Sequence, residues 1–170
     1  MILLGLGSNL SSTFGNRFKN IDLAISYLKT FNIEIIKKSS YYETFSYPDK
    51  KNPKFINVVI GIVSSLKLKD LVFTLIFIEE KLERKRNKKN DPRTCDIDII
   101  DYNNQIINFK YKNLDFTVPH KKLIYRNFVL FPLREILPEW KHPKTKDSIT
   151  TLIEKLPKED KNSILKIQKN

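Results

Sequence analysis

The residues best suited to chemistry lie between Arg84 and Asp98, where the run Arg84-Lys85-Arg86-Asn87-Lys88-Lys89-Asn90-Asp91-Pro92-Arg93 leads straight into Thr94-Cys95-Asp96-Ile97-Asp98. After Pro92, acids alternating with apolar, mostly β-branched residues predict a strand over 94–100, so Asp96 and Asp98 project from one face. Residues two apart on a strand are about 7 Å from each other, near enough for both carboxylates to hold metal ions set between or beside them. Arg84, Arg86 and Arg93 suit the oxygens of a polyphosphate, because a guanidinium meets such oxygens with two parallel hydrogen bonds. Acids for a metal beside cations for phosphate point to metal-assisted phosphoryl transfer. The plain alternative is an edge strand with a solvated polar face and ordinary surface charge next to it. An Asp-x-Asp alone favours that alternative; the residues around it reverse the balance.

These groups need a scaffold, and 170 residues are enough for one domain with its own core, spanning 1–170. A polar, lysine-rich tail from about 158 to 170 is expected to fray. Lys and Arg outnumber Asp and Glu by 31 to 19, a net charge of +12, which suits nucleic acid, an acidic membrane surface or a polyphosphate and does not choose among them. The chain is rich in Lys, Asn and Ile and holds only 4 glycines, so part of that charge reflects compositional bias. Cys95 is the one cysteine, which excludes an internal disulfide framework and fits a reducing compartment. Met1-Ile-Leu-Leu runs into strand-like sequence with no basic segment or cleavage site, and the apolar run 71–78 is too short to span a bilayer. The expectation is a soluble, cytoplasmic protein.

In chain order, an apolar strand over 2–6 ends in Gly5-Leu6-Gly7-Ser8-Asn9, a tight turn. Phe14, Phe18, Ile21, Ile25 and Leu28 recur at three and four, predicting a helix over about 14–30 with Ser11, Ser12 and Thr13 as candidate caps. Strands over 33–44 and 55–64 flank a loop that holds Pro48 and Pro53, longer than a hairpin needs. In the second of these strands Phe55, Asn57, Val59 and Gly61 share a face. Asn57 is then a polar group on an apolar surface, and either bonds the loop or reads a polar heterocycle. Leu68, Leu71, Val72, Leu75, Ile76 and Leu82 predict a helix over 66–86. Glu79 falls on its apolar stripe with Arg86 at nearly the same angle, so it is either paired or placed for a ligand. Asn103-Asn104 predicts a turn, 126–133 a short helix and 149–156 another. Thr117, His120, Lys121 and Arg126, within ten residues, have the types for a phosphate site, whereas His142 in a proline-containing loop reads as structural. Strand, helix, strand, strand, helix, strand is the ferredoxin-like β-α-β-β-α-β unit, an α+β fold whose antiparallel sheet carries its helices on one face, here with a C-terminal extension. Such folds host many functions, so the site must decide.

Gly7-Ser8-Asn9-Leu10, Ser40-Tyr41-Tyr42-Glu43-Thr44, Phe55-Ile56-Asn57, Ile78-Glu79, Arg84-Lys85-Arg86, Asp91-Pro92-Arg93-Thr94-Cys95-Asp96-Ile97-Asp98 and Val118-Pro119-His120, taken in this order, resemble the 6-hydroxymethyl-7,8-dihydropterin pyrophosphokinase family from Met1 to about Trp140. The resemblance implies transfer of the pyrophosphoryl group of ATP to the hydroxymethyl oxygen of the pterin in folate biosynthesis, with two Mg²⁺ ions. It implies Asp96 and Asp98 as metal ligands, and Arg84, Arg86, Arg93, His120, Lys121 and Arg126 on phosphates or the reacting oxygen. Glu79 and Thr117 would serve the nucleotide side. The pterin would lie among Phe55, Asn57 and Phe128, with Thr44, Phe45 and Tyr47 from the long loop, and loops 8–15, 45–54 and 84–93 would close over both substrates. A monomer is expected, with small-molecule substrates and without nucleic-acid or membrane partners.

This sequence departs from the family pattern in its basic loop. Glu83 stands where the family has Gly before the first arginine, the loop is one residue short of a familiar bacterial form, and Lys89-Asn90-Asp91 replaces its usual aromatic. Two rivals remain at this level: an RNA-binding module, which has no RNP1-like run and no use for paired acids, and another metal-dependent nucleotidyl transferase on a similar fold.

Overall fold

In the computed structural model, which describes residues 1–86, 90–111 and 114–169, strand β1 (Ile2–Ser8) runs through the middle of the sheet because six of its seven residues are buried. A six-stranded sheet has the order β5 (Asp96–Tyr102), β1, β4 (Phe55–Val63), β3 (Tyr41–Thr44), β8 (Leu165–Ile167), with β2 (Glu34–Lys38) also on β4. All pairings are antiparallel. Helices α1 (Arg17–Thr30) and α2 (Leu68–Lys81) cover one face, where Ile21, Leu28, Leu71 and Ile78 meet Leu4, Leu6, Ile60 and Ile97. This is the expected ferredoxin-like core. The C-terminal extension covers part of the other face: α3 (Asn127–Ile136) and α4 (Ile149–Glu154) bury Leu130, Leu133 and Ile153 against Leu3, Val59 and Ile100. Both faces of the central strands are therefore buried, which is why they read as continuous apolar runs.

Towards the carboxyl end of β1 that second face turns polar. Gly5 stands opposite Asp98 and Gly7 opposite Asp96 on one side, and Gly7 stands opposite Asn57 on the other. A Cβ on Gly7 would lie 3.4 Å from the Phe55 ring and 3.5 Å from Asn57 Oδ1, so the bare backbone there is the floor on which these groups sit.

Several elements differ from expectation for local reasons. The strand over 33–44 is broken into β2 and β3 at Ser39, whose hydroxyl accepts from Val59 N (3.0 Å) while its own N–H donates to Val59 O (2.9 Å). Helix α1 is capped by Asn16, which accepts from Lys19 N, and Ser12 instead closes a small turn with Gly15. Phe14 is consequently 46% exposed and off the apolar stripe. Helix α2 ends at Lys81, short of Arg86, because Glu83 adopts a left-handed backbone (φ 66°) that a continuing helix does not permit. A hairpin of β6 (Ile107–Tyr111) and β7 (Leu114–Val118) was not anticipated, although Ile107, Phe109 and Tyr111 alternate as a strand should. Among the described residues no helix is long and apolar enough to cross a membrane.

The tail does not fray as expected. After α5 (Lys158–Asn162), β8 pairs with β3, and Lys169 Nζ stands 2.5 Å from Asp22 Oδ2. Asp22 also accepts from the Tyr41 hydroxyl and lies 3.4 Å from Lys38 Nζ. Burial works to raise the Asp22 carboxyl, but Lys169, Tyr41 and Lys38 outweigh it and hold it below the ordinary range. A depressed folded pKa gives stability that is present above the unfolded value, and that is lost as pH falls through the folded one. Protection of amides 165–169, corrected for intrinsic exchange, should thus decline as pH drops below about 4, and Asp22→Asn should loosen the same segment at pH 7. Equal protection in variant and wild type at pH 7 would contradict this anchor.

Candidate active site

Asp96 and Asp98 project from β5 on one face, as their spacing requires, and each is met by arginine. Arg84 Nη1 donates to Asp96 Oδ1 (2.6 Å), and Arg93 Nε and Nη2 donate to Asp96 Oδ2 (2.8 and 2.5 Å). Arg126 Nη1 donates to Asp98 Oδ2 (2.9 Å). Burial works to raise the Asp96 carboxyl, and Arg84 and Arg93 overcome it and keep it below its ordinary value. Asp96 is therefore an anion at any pH near neutrality.

Glu79 is paired and placed at once. Its side chain is only 3% exposed; it takes Arg84 and Arg86 on its two oxygens and accepts from Ile97 N (2.7 Å). Strand β5 is a sheet edge, so Ile97 N–H has no strand partner, and the α2 carboxylate supplies the acceptor. Burial pushes Glu79 up to about 7 against the pull of Arg84 and Arg86. Helix α2 thereby holds Arg84 between two carboxylates, Glu79 and Asp96.

A cavity of about 440 Å³ opens beside these residues. Val72 and Ile76 of α2 and Phe116 and Val118 of β7 give it apolar walls, while Arg84, Arg86, Lys121, Lys122, Arg126 and His120 line it with basic groups. Asp96, Asp98, Glu79 and Thr117 complete the part predicted from sequence, to which the structure adds Lys122. Val72, Ile76, Phe116 and Asp115 were missed. The first two were counted as ordinary core, and the last two lie on the unanticipated hairpin. His120 Nδ1 accepts from Lys122 N (3.1 Å). Burial, aided by Arg126 and opposed by Asp98, keeps its imidazole below the usual value, hence neutral at pH 7. His142 is structural as read: its Nδ1 accepts from Lys144 N and Thr145 N.

The residues expected around a flat ring gather only in part. Asn57 Nδ2 donates to Thr44 Oγ1 (3.0 Å) and, more weakly, to Tyr42 O (3.4 Å), so its amide is held by β3 rather than by the loop. Phe55 faces Thr44 in register and carries the Arg93 guanidinium 4.8 Å from its ring centre. Phe128 lies under Arg126 at 5.4 Å. Phe45 and Tyr47 are 45% and 79% exposed, and the cavity above reaches none of these residues. Of the basic loop over 84–93 expected to close on such a ring, residues 87–89, with Lys89 of the altered segment, lie outside the described residues. At that loop's start Glu83 accepts from Thr13 N (3.0 Å) and the Thr13 hydroxyl, a contact that depends on the departure from Gly.

Among the described residues no three or more His, Cys, Asp or Glu cluster tightly enough to hold a metal unaided. Two carboxylates with an open side nonetheless suit Mg²⁺, which takes one or two protein oxygens and fills its octahedron with water and substrate phosphates.

A ferredoxin-like sheet that sets two acids at the edge of a basic cavity defines an enzyme of the phosphoryl-transferring kind. The family model for 7,8-dihydro-6-hydroxymethylpterin-pyrophosphokinase (HPPK) matches residues 3–138, and the chain belongs to this family. It is 35% identical over 155 residues to the 2-amino-4-hydroxy-6-hydroxymethyldihydropteridine pyrophosphokinase of Synechocystis, covering 91% of this chain and 75% of that protein. It is also 35% identical over 164 residues to the folic acid synthesis protein fol1 of Pneumocystis carinii, covering 96% of this chain but 21% of that one. In fold it is similar to the Plasmodium falciparum HPPK-DHPS crystal structure with pteroate, at TM-score 0.69 and 17% identity, over 91% of this chain and 44% of the other. The chain thus spans about a fifth of the Pneumocystis protein and under half of the structural neighbour.

Proposed function

We propose that the protein transfers the pyrophosphoryl group of ATP to the hydroxymethyl oxygen of 6-hydroxymethyl-7,8-dihydropterin, releasing AMP and the pterin diphosphate. The observation that carries this is the joint placement of Asp96 and Asp98 under Arg84, Arg93 and Arg126 at the edge of a basic cavity. The purine would lie between the apolar walls of α2 and β7, and the triphosphate would run towards the arginines. As it enters, Arg84, Arg93 and Arg126 would exchange a carboxylate oxygen for a phosphate oxygen, since a guanidinium meets either anion with paired hydrogen bonds. Asp96 and Asp98 would then be the residues to hold the two Mg²⁺ ions. Bound there, Mg²⁺ would neutralise charge on the β- and γ-phosphates. Glu79 keeps Arg84 aimed throughout, because it accepts from the same Nη1 that meets Asp96. Neutral His120 can donate from Nε2 to a phosphate oxygen, since its Nδ1 accepts from the main chain.

The pterin would use the polar end of β3 and β4. Both Asn57 donor bonds run to β3, which leaves the amide oxygen to accept from a ring N–H, and Phe55 and Phe128 offer flat faces for stacking. Losing one such hydrogen bond costs about 1–3 kcal/mol. Asn57→Ala should therefore weaken pterin binding about tenfold or more while changing nucleotide affinity under about threefold. Calorimetry with each ligand decides, and equal losses on both would count against the assignment.

The decisive assay mixes the protein with ATP, Mg²⁺ and hydroxymethyl-dihydropterin. AMP appearing in step with pterin diphosphate supports the reading, whereas release of free pyrophosphate points to a nucleotidyl transferase. A cytoplasmic monomer remains part of the reading, and size-exclusion chromatography tests its oligomeric half.

A further inference from the structure

Asn9 lies in the turn after β1, is 2% exposed, and spends every polar atom of its side chain on two other loops. Its Oδ1 accepts from Arg93 N (2.7 Å). Its Nδ2 donates to Ser46 Oγ (3.2 Å) and to Pro53 O (3.0 Å). The main chain reinforces the first link, since Asn9 N and Leu10 N both donate to Arg93 O (3.0 and 3.2 Å). Ser46 Oγ in turn donates to Pro53 O (2.5 Å), closing the two ends of the 45–54 loop on each other at the amide. One primary amide thus joins the loop that borders Phe55 to the residue that grips Asp96.

The arrangement suits an amide and no other common side chain of this size. Asn offers two donors and an acceptor in one plane, and here the donors point to one loop and the acceptor to the other. Arg93 occupies the middle of the link. Its peptide is held by Asn9, and its guanidinium spans from the Phe55 ring to Asp96 Oδ2. A shift of the 45–54 loop is therefore transmitted to the Arg93 peptide through two hydrogen bonds on a buried side chain, not through solvent-exposed contacts. Buried polar groups of this kind are costly to leave unpaired, which keeps the two loops in one register.

We infer that Asn9 is a positioning residue that sets the pterin-side loop against Arg93, so that the ring site and the phosphate site are built as one unit. This rests on the function proposed above. Asn9→Asp keeps the acceptor for Arg93 N and removes both donors to the 45–54 loop. It should raise the pterin KM about tenfold or more with the nucleotide KM nearly unchanged. Asn9→Ala cuts both links and should lower kcat as well, because the Arg93 peptide loses its side-chain acceptor. If both variants merely melt at lower temperature, with wild-type KM values and kcat, the inference is overturned.

A measurement on the wild-type chain keeps the test open should either variant fail to fold. A non-hydrolysable ATP analogue with Mg²⁺, added without pterin, should slow hydrogen exchange in 44–54 as well as in the segments that line the nucleotide cavity. Protection confined to the cavity segments would overturn the link. Failure of the wild-type protein to bind the analogue at all would instead strike the proposed function.

Discussion

Replacing Asp96 or Asp98 by alanine is expected to lower turnover by at least about 10³-fold, the scale of losing a preorganised electrostatic contact at a reacting centre. The two variants should then part company in stability. The Asp98 side chain is 38% exposed and meets one arginine, itself 23% exposed, and an ion pair so open to water contributes at most about 1 kcal/mol. The Asp96 side chain is 18% exposed and carries both Arg84 and Arg93. Deleting it removes charge-assisted hydrogen bonds from two guanidiniums, at a cost of about 2 kcal/mol. Sequence alone suggested that both acids serve ligands and neither serves packing. The structure pairs Asp98 with Arg126 alone and makes Asp96 the acceptor that arranges two arginines. Urea denaturation beside steady-state rates separates the effects. Near-normal turnover in both variants would remove the proposed chemistry, and identical stability losses would remove the distinction between the acids.

Glu79→Ala should destabilise the fold by about 1–3 kcal/mol, the cost of leaving a buried donor unpaired. The carboxylate answers three donors at once: Arg84, Arg86 and the edge-strand Ile97 N–H. Arg86 is half-exposed and can turn to water, and Arg84 keeps Asp96. Ile97 N–H has no such recourse beside the closed face of α2. Activity should fall along with stability, because Arg84 would lose one of the two carboxylates that fix its Nη1. Glu79→Gln tests the division: its amide oxygen can still accept from Ile97, so it should recover much of the stability and little of the arginine placement. A Glu79→Ala protein as stable as wild type would show that α2 and β5 are not joined through this group.

Much of the site was legible because its signals are local. Acids at alternate positions of a strand share a face whatever the rest of the chain does, so Asp96 and Asp98 could be paired from spacing alone. The three- and four-residue rhythm of Leu71, Leu75 and Leu82 likewise marked α2, and marked Glu79 as a carboxylate out of place on an apolar stripe. The turn at Asn103 and Asn104 was legible for a similar reason, since both residues adopt the left-handed backbone that asparagine tolerates.

Other features depend on residues far apart in sequence, and only the tertiary structure decided them. Glu79 read as paired with a lysine slightly ahead of placed for a ligand; it became the partner of Arg84 and Arg86 because Glu83 turns the chain back at the helix end. The tail read as loose because its composition is polar, and it is held because β3 offers an open edge and Asp22 a carboxylate 147 residues from Lys169. Asn9 read as a turn former, and its amide proves to join two distant loops. Periodicity reports which face a side chain takes, because that is set by the backbone repeat of its own element. Which partner waits on that face is set by long-range packing, and no local pattern encodes it.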